Sequence, residues 1–457
     1  MVSSEEAQQL GSEPIGRLLA QYSLPAITAM VASSVYNLLD RIFIGHGVGP
    51  MAISGLALTL PLMNLLVAFG ALVGTGAATL VSIRLGEKRL DQAIGILGNT
   101  VLLNLVLSST ISLAMLVFLA PVLRLFGASP ATLPYARQFM QILLLGNVFQ
   151  HSYMGLNNVM RASGHPRRAM LITLLTVAVN AVLAPLFIFG FHWGIRGAAS
   201  ATVIAQFAGL VGTLVHFAGR SPVRFTKGCF RPDRRMVKDI VMIGMPAFIL
   251  NTCASLVVIL LNLKLVVHGG DYAVGAYGIF NCVLMCVAMV IIGLTQGMQP
   301  IAGYNFGAGQ LQRVTGVLKQ TIVAAMAIAA LGFLLGELVP RPIALLFTRD
   351  ARLVDLACTG MRLGLLVFPV VGFQMVASSF FQAIGHPVVS IVLALSRQIF
   401  CLVPALLLLP WLLGLNGVWL ALPAADLVSS VVAFFVLRRG LKALLVPPAS
   451  AAAAPEA

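Results

Sequence analysis

Few ionisable side chains interrupt the long apolar runs of this chain, and those few are its main candidates for chemistry. Asp40 lies in the run SSVYNLLDRIFIG, while Arg397, in LSRQIF, and Asp426, in PAADLVSS, lie in two runs near the C-terminus. An ionisable group inside the hydrocarbon of a bilayer costs at least about 2.5–3.5 kcal/mol. Each of these residues is therefore a candidate for binding a cation or for holding a structural ion pair.

Both residue sets have a structural alternative. Asp40 could be an interfacial carboxylate paired with Arg41, but neighbours on a helix point about 100° apart, so Asp40 can face inward while Arg41 extends towards water. Arg397 and Asp426 lie halfway along two predicted helices that run in opposite directions, which brings them to similar depth. This C-terminal polar pair could stabilise its helices, or a substrate cation or proton could compete for Asp426.

Further polar residues inside apolar runs are candidates for lining a substrate cavity, although each could equally form a hydrogen bond between helices. They are Asn157, Gln206, Asn262, Gln296, Gln299 and Gln374. The seven histidines show no metal-ligand spacing, no glycine-rich stretch supplies a P-loop GK[ST], and no nucleophile–base pair is evident. The sequence predicts neither an enzyme nor a metal or cofactor site.

The elements that position these residues are predicted to be transmembrane helices. Of 457 residues, 59% are apolar and 9% charged, with a mean hydropathy of +0.98, whereas a soluble domain carries roughly 25% charged residues. Spans in lipid without barrel-like alternation must be helical, so we predict an all-α polytopic membrane protein. Its twelve spans are expected near 17–43, 53–80, 92–119, 134–160, 168–190, 197–219, 236–266, 273–300, 316–338, 354–382, 388–410 and 415–437.

The net charge of +15 is distributed as a topology signal rather than as a nucleic-acid site. Basic residues cluster on alternate loops, among them the group Arg161, Arg167 and Arg168 and the stretch 219–235. By the positive-inside rule these loops and both termini are cytoplasmic, in the inner (plasma) membrane, where they contact anionic lipid. No nucleic-acid partner is predicted.

The chain repeats itself at a nearly constant spacing, which we call the repeat offset and define by the match of Pro25 with Pro246. At this offset Gly86 matches Gly307, and Gly164-His165-Pro166 matches Gly385-His386-Pro387. Six spans in each half give both halves the same orientation, which predicts two lobes related by a pseudo-two-fold axis along the membrane normal. We divide the chain into a cytoplasmic segment 1–16, a lobe 17–219, a linker 220–235, a second lobe 236–440 and a disordered tail 441–457.

Four segments together resemble the multidrug and toxic compound extrusion (MATE) family. They are LPAITAMVASSVYNLLDRIFIGHGVGPMAISGLAL, the loop VMRASGHPRRAM with its echo FFQAIGHP, the run VNAVLAPLFIFGFHWGIRGAASAT, and QGMQPIAGYNFGAG. The resemblance covers residues 15–440. It implies a cation-coupled antiporter with two six-helix lobes that exports small, often cationic or amphipathic compounds by alternating access.

The resemblance also implies a coupling site. Asp40, Asn180 and Thr202 match positions that the family uses for a proton or sodium ion, and a helix rise of about 1.5 Å per residue places all three in the outer half of the first lobe. Asn262 is the predicted counterpart of Asp40 in the second half, and Gln206 takes the place of Asp426 in the first. The two lobes are therefore not chemically equivalent.

One departure from the family pattern bears on the coupling ion. Many relatives read N-x-x-x-D-P-L-F-I, whereas Asn180 is followed here by Ala184-Pro185-Leu186, so a second carboxylate is missing. Sodium prefers several hard oxygen ligands, while burial of a lone carboxyl group favours its protonated form. We predict proton antiport, with sodium coupling or a lipid-linked precursor flippase as alternatives. No pattern predicts an oligomeric state.

Overall fold

A computed structural model of the chain describes residues 9–445 apart from 127 and 220. The side chains of residues 38, 50, 51, 53, 444 and 445 are outside this description. Within the described part the chain folds into helices joined by short turns, with no strand. Such a fold suits a bilayer because every backbone group within a helix is paired inside its own segment.

Six helices form the first half. They are α1 (Ile15–Gly47), α2 (Pro50–Gly86), α3 (Leu90–Leu125), α4 (Leu133–Ala162), α5 (Pro166–Gly190) and α6 (Gly194–Ala218). Proline lies at the first or second helical position of α2, α4 and α5, where its missing N–H is not needed. The last five residues of α5, Leu186–Gly190, wind as a π-helix directly after Pro185.

The second half begins with a continuous helical stretch, Arg234–Gly307, of 74 residues. Gly270 interrupts it with a φ of 66°, which separates α7 (234–269) from α8 (271–307). Then follow α9 (Leu311–Leu338), a short helix Pro340–Leu345, α10 (Ala351–Gly364 and Phe368–Ala383), α11 (Pro387–Leu413) and α12 (Leu415–Leu445). The two parts of α10 meet at an angle of 56°.

The twelve predicted spans are present, although three depart from a simple apolar helix. Nine helices of the described residues are long and apolar enough to cross a membrane, and the bent α10 is a tenth. The stretch Arg234–Gly307 is about 110 Å long at about 1.5 Å per residue, so it must supply two spans. α4 is less apolar than the other spans because it contains Asn147, His151 and Arg161, which it buries against other helices.

We call the face with the turns after α2, α4, α6, α8 and α10 the linker face, and the opposite one the distal face. The linker, described from residue 221, forms turns and bends. Asn99 of α3 holds it: the Asn99 amide donates to the Arg231 carbonyl at 3.1 Å and accepts from the Asp233 N–H at 2.9 Å. α12 continues to Leu445, past the predicted tail boundary at 441, and residues 446–457 lie outside the described residues.

The internal repeat is visible in the contacts between α2 and α8 near the linker face. A Cβ atom added to Gly86 would lie 2.0 Å from the Tyr304 carbonyl oxygen, and one added to Gly307 would lie 2.1 Å from the Ile83 carbonyl oxygen. Gly86 and Gly307 are separated by the repeat offset, and so are Ile83 and Tyr304. The two contacts are therefore equivalent under the pseudo-two-fold symmetry. The pseudo-two-fold axis therefore passes between α2 and α8, whose backbones touch because neither has a side chain there.

The linker-face halves of α1 and α7 each pack into the core of the other lobe. Leu19 and Tyr22 of α1 belong to the buried cluster that contains Trp419, whereas Ile240 and Ile243 of α7 belong to the cluster of α2 and α4. The repeat offset also relates Leu19 to Ile240 and Tyr22 to Ile243. The two lobes are therefore joined by a reciprocal crossing of α1 and α7.

Candidate functional site

A polar cluster lies inside the first lobe, where α1, α5 and α6 meet. The Asn180 amide donates to the Thr202 hydroxyl at 3.1 Å and to the Tyr36 hydroxyl at 3.3 Å, and the two hydroxyls are 3.2 Å apart. Asp40 lies one helical turn after Tyr36 on the same face of α1. The structure thus brings the predicted Asp40, Asn180 and Thr202 together and adds Tyr36.

Two oxygen atoms of this cluster lack a donor. Oδ1 of Asp40 and Oδ1 of Asn180 are both buried, and neither accepts a hydrogen bond from the described residues. A buried acceptor without a partner costs about 1–3 kcal/mol, and more when it is charged. A proton on Asp40, a cation or a water molecule would each give these oxygens a partner.

The surroundings bear on the alternatives for Asp40. Arg41 is exposed, and the ion pairs among the described residues do not include Asp40 with Arg41. Ala184, where many relatives carry a carboxylate, is fully buried in an apolar cluster with Phe187 and Ala201. Asp40 is therefore the one acidic residue of this polar cluster.

A separate cavity of about 530 Å³ lies between the two lobes. It is lined mainly by residues from the middle of the bundle towards the linker face. The predicted residues Asn157, Gln296, Gln299 and Gln374 line it, and two of them also join helices: Asn157 donates to the Ala169 carbonyl at 3.0 Å and Gln374 to the Leu393 carbonyl at 3.2 Å. Lining the cavity and bonding between helices are thus compatible.

Two other predicted residues do not line this cavity. Gln206 lies on α6, which contributes no lining residue among those described. Asn262 lies well beyond Asn251, the last α7 residue at the cavity, and is therefore about 16 Å further towards the distal face. At the repeat offset, the residue that matches Asp40 is Leu261, one position before Asn262. Leu261 is 1% exposed, so the second lobe has a buried apolar side chain there.

The charged residues that line the cavity are two arginines, and no Asp or Glu is among the lining residues that the structure describes. Arg397, in the π-helical stretch Ser396–Leu402, donates from Nε to Oδ1 of Asp426 at 2.6 Å. Arg161 is 7% exposed and donates to Oε1 of Gln296 on α8. The sequence placed Arg161 among loop charges; the structure buries it because α4 extends to Ala162.

Two six-helix lobes related by a two-fold repeat, a cavity between them and a buried polar cluster in one lobe define a two-lobed membrane transporter. The MatE family model matches this chain twice, over residues 25–186 and 245–407. The chain therefore belongs to the MatE (MATE) family of transporters, and the two matches coincide with the internal repeat.

Individual relatives cover nearly the whole chain. It is 29% identical to the multidrug export protein MepA of Staphylococcus haemolyticus and 26% identical to that of Staphylococcus aureus, in each case over 95% of this chain and 96% of the relative. Among solved structures, an outward-facing multidrug resistance MATE family transporter superposes with a TM-score of 0.91 at 26% identity, covering 96% of this chain and 99% of that one. A MOP superfamily transporter from Pyrococcus furiosus, described as having a binding pocket of reversed polarity, has the same TM-score at 25% identity and the same coverage.

Proposed function

We propose that this protein is a proton-coupled antiporter that exports small amphipathic compounds from the cytoplasm by alternating access. The observation that carries the proposal is the pair of buried acceptors at Asp40 and Asn180. A proton on Asp40 neutralises the carboxylate and turns one of its oxygens into a hydrogen-bond donor. Sodium coupling is the alternative, because a sodium ion would also bind to oxygen atoms.

Two features favour the proton. The cluster holds a single carboxylate, and its amide and hydroxyl groups already bond to one another. A sodium ion needs several oxygen ligands and gains from a second negative charge, while the position that would supply it is Ala184. The names of the relatives, which describe multidrug export and multidrug resistance, support small-molecule export.

Helix α1 joins the coupling cluster to the cavity. It carries Tyr36 and Asp40 in its distal half, and Met30 and Ser33 of the same helix line the cavity. Binding a proton at Asp40 changes the charge of α1 within a few turns of the substrate. Because the two sites are separate, cargo and proton bind to the lobe without sharing a residue.

Transport in proteoliposomes tests the coupling. We expect a pH gradient to drive uptake of a fluorescent multidrug-pump substrate such as ethidium or fluorescein, with sodium equal on both sides, and we expect Asp40→Asn to abolish this uptake. The matched control is Asp355→Asn, which removes an exposed carboxylate outside the cluster. Transport that followed a sodium gradient and ignored the pH gradient would instead support the alternative.

The topology follows from the same proposal. With the basic loops inside, the linker face is cytoplasmic, as are both termini. A fluorescent reporter that matures only in the cytoplasm should be active when fused after residue 457, and alkaline phosphatase fused there should be inactive. The opposite pattern would place the linker face outside the cytoplasm, and the proposed direction of transport would then be reversed.

A further inference from the structure

The charge at Arg161 has no acidic partner among the residues that the structure describes. Arg161 is buried, and the ion pairs among the described residues do not include it. Its hydrogen bond goes to the neutral Gln296. A guanidinium keeps its charge and has five N–H donors, and the bond to Gln296 uses one of them, so donors remain for a ligand in the cavity that Arg161 lines.

Arg397 provides the contrast within the same cavity. Its guanidinium is paired with Asp426, which is buried, so this charge is neutralised at 2.6 Å. With no Asp or Glu among the described lining residues, Arg161 leaves the cavity with a net positive charge. A cationic cargo would be repelled at this end of the cavity, whereas an anionic group would gain a charge-assisted hydrogen bond.

The internal repeat shows that closing the linker face does not require this charge. At the repeat offset, Arg161 corresponds to Gln382 and Gln296 corresponds to Thr75. Gln382 donates to the Thr75 hydroxyl at 3.3 Å and to the Ile243 carbonyl at 3.0 Å, so the equivalent contact of the other lobe is made by a neutral amide. A contact of this kind between the lobes can therefore be made without the positive charge of Arg161.

The remainder of the lining indicates the rest of the ligand. Its polar residues are amides and hydroxyls, and its apolar residues include Met30, Met154, Met289 and Met375, whose flexible side chains adapt to different shapes. A volume of about 530 Å³ lies in the range of small-molecule sites. The ligand that fits is an amphipathic molecule with one carboxylate, sulfonate or phosphate group.

Resting on the export function proposed above, we propose that Arg161 binds the anionic group of the exported compound. When the linker face closes, Gln296 meets Arg161 and competes with that group. Closure therefore weakens binding of the anion and favours its release. The charge of the cavity thus favours an anionic or zwitterionic cargo over the cationic one that the family resemblance implied.

Equilibrium binding tests this assignment with two dyes of the same ring system, fluorescein, which is anionic, and rhodamine 6G, which is cationic. Anisotropy is measured with purified protein in nanodiscs of phosphatidylcholine, without any ion gradient. We expect Arg161→Gln, which reproduces the neutral residue of the other lobe, to bind fluorescein about 10-fold or more weakly than wild type, the loss typical of a charge-assisted hydrogen bond. Its affinity for rhodamine 6G should stay unchanged or rise.

Two further variants separate anion binding from a structural role. Arg161→Lys keeps the charge and should retain most fluorescein binding, while Gln296→Leu removes the competing acceptor and should bind fluorescein as tightly as wild type or more tightly. If the contact between Arg161 and Gln296 is purely structural, Arg161→Gln and Gln296→Leu should change the affinity for each dye in the same way. That result, or equal fluorescein affinity of wild type and Arg161→Gln, would overturn the proposal.

The source of the anion is distinguished by adding phosphatidylglycerol to the nanodiscs. Displacement of fluorescein from wild type assigns the site to an anionic lipid headgroup, and its persistence assigns it to a soluble organic anion; both outcomes support the role of Arg161. Asp355→Asn, which removes an exposed carboxylate outside the cavity, should bind fluorescein like wild type. If Asp40 has no part in coupling, the transport assays of the previous section will show this. The binding results for Arg161 do not depend on that outcome.

Discussion

At the scale of single residues, the polar cluster between α1, α5 and α6 is specified by chemistry that is rare in a membrane. A carboxylate is rare within a hydrophobic run, which allowed Asp40 to be predicted. The family motif supplied its partners Asn180 and Thr202. Tyr36 was missed, since a tyrosine is unremarkable in an apolar helix; its position one turn before Asp40 was the available signal. Arg161 was missed because it lies one residue past the predicted span 134–160, where basic residues normally reach water.

The proposal that the coupling ion is a proton depends partly on the missing second carboxylate, and this dependence can be tested directly. Ala184→Asp restores the acidic residue at this position, and we expect it to introduce sodium-dependent transport that wild type lacks. Because Ala184 is fully buried, we also expect the larger side chain to destabilise the protein by about 1–3 kcal/mol.

Sodium-dependent thermal stability and transport of the variant are the measurements. Ala184→Asn is the control, because it adds similar volume without charge and should show no response to sodium. An Ala184→Asp protein that folds and remains indifferent to sodium would contradict the argument from the missing carboxylate.

The pair Arg397–Asp426 is expected to stabilise the second lobe. Asp426→Asn leaves the guanidinium without its partner, and removing one member of a buried pair costs about 3–5 kcal/mol. The double variant Arg397→Gln with Asp426→Asn should recover most of that loss. Thermal unfolding in detergent measures both. Normal stability of Asp426→Asn together with lost transport would instead give Asp426 a part in the transport cycle.

At the scale of elements, hydropathy predicted the number and order of the helices but not their irregularities. α4 was predicted as a span from its apolar run, and the polar residues that it buries lower its hydropathy without interrupting the helix. The 56° bend of α10 and the two π-helical stretches depend on packing in three dimensions. Pro185 lies directly before the first π-helical stretch and Pro404 lies two residues after the second, but a proline by itself does not specify this geometry.

The close approach of α2 and α8 predicts which glycines are sensitive. Gly86→Ala should impair closing of the linker face, because the added methyl would meet the Tyr304 carbonyl. Gly278→Ala is the matched control, since a Cβ there meets no atom within 4 Å and alanine favours the helix by about 1 kcal/mol.

Transport rate and thermal stability of both variants are the measurements. We expect transport to fall several-fold for Gly86→Ala and to remain unchanged for Gly278→Ala, which should be at least as stable as wild type. Equal transport by the two variants would show that the α2–α8 contact is not needed in the cycle.

At the scale of the whole molecule, the repeat could be predicted from the sequence, and the structure adds the positions where the lobes touch. Thr75 and Gln382 are in contact across the two lobes near the linker face. In a background without the six natural cysteines, replacing both residues with cysteine and joining them with a short thiol-specific cross-linker should hold this face closed.

Such a protein should lose transport and regain it when the cross-link is reduced. Treatment of either single cysteine variant with the cross-linker is the control and should leave transport intact. Full transport by the joined protein would show that the lobes need not separate at this face.

The crossing of α1 and α7 adds to the free energy needed to separate the lobes at the linker face, unless the helices bend. If the lobes separate at the linker face, Leu19 and Tyr22 must leave one apolar core and Ile240 and Ile243 the other, or both helices must bend between their two halves. Exposing one such side chain costs about 1.5–3 kcal/mol. Because α1 touches the second lobe at one end and carries Asp40 at the other, the contact between the lobes and the polar cluster belong to one helix.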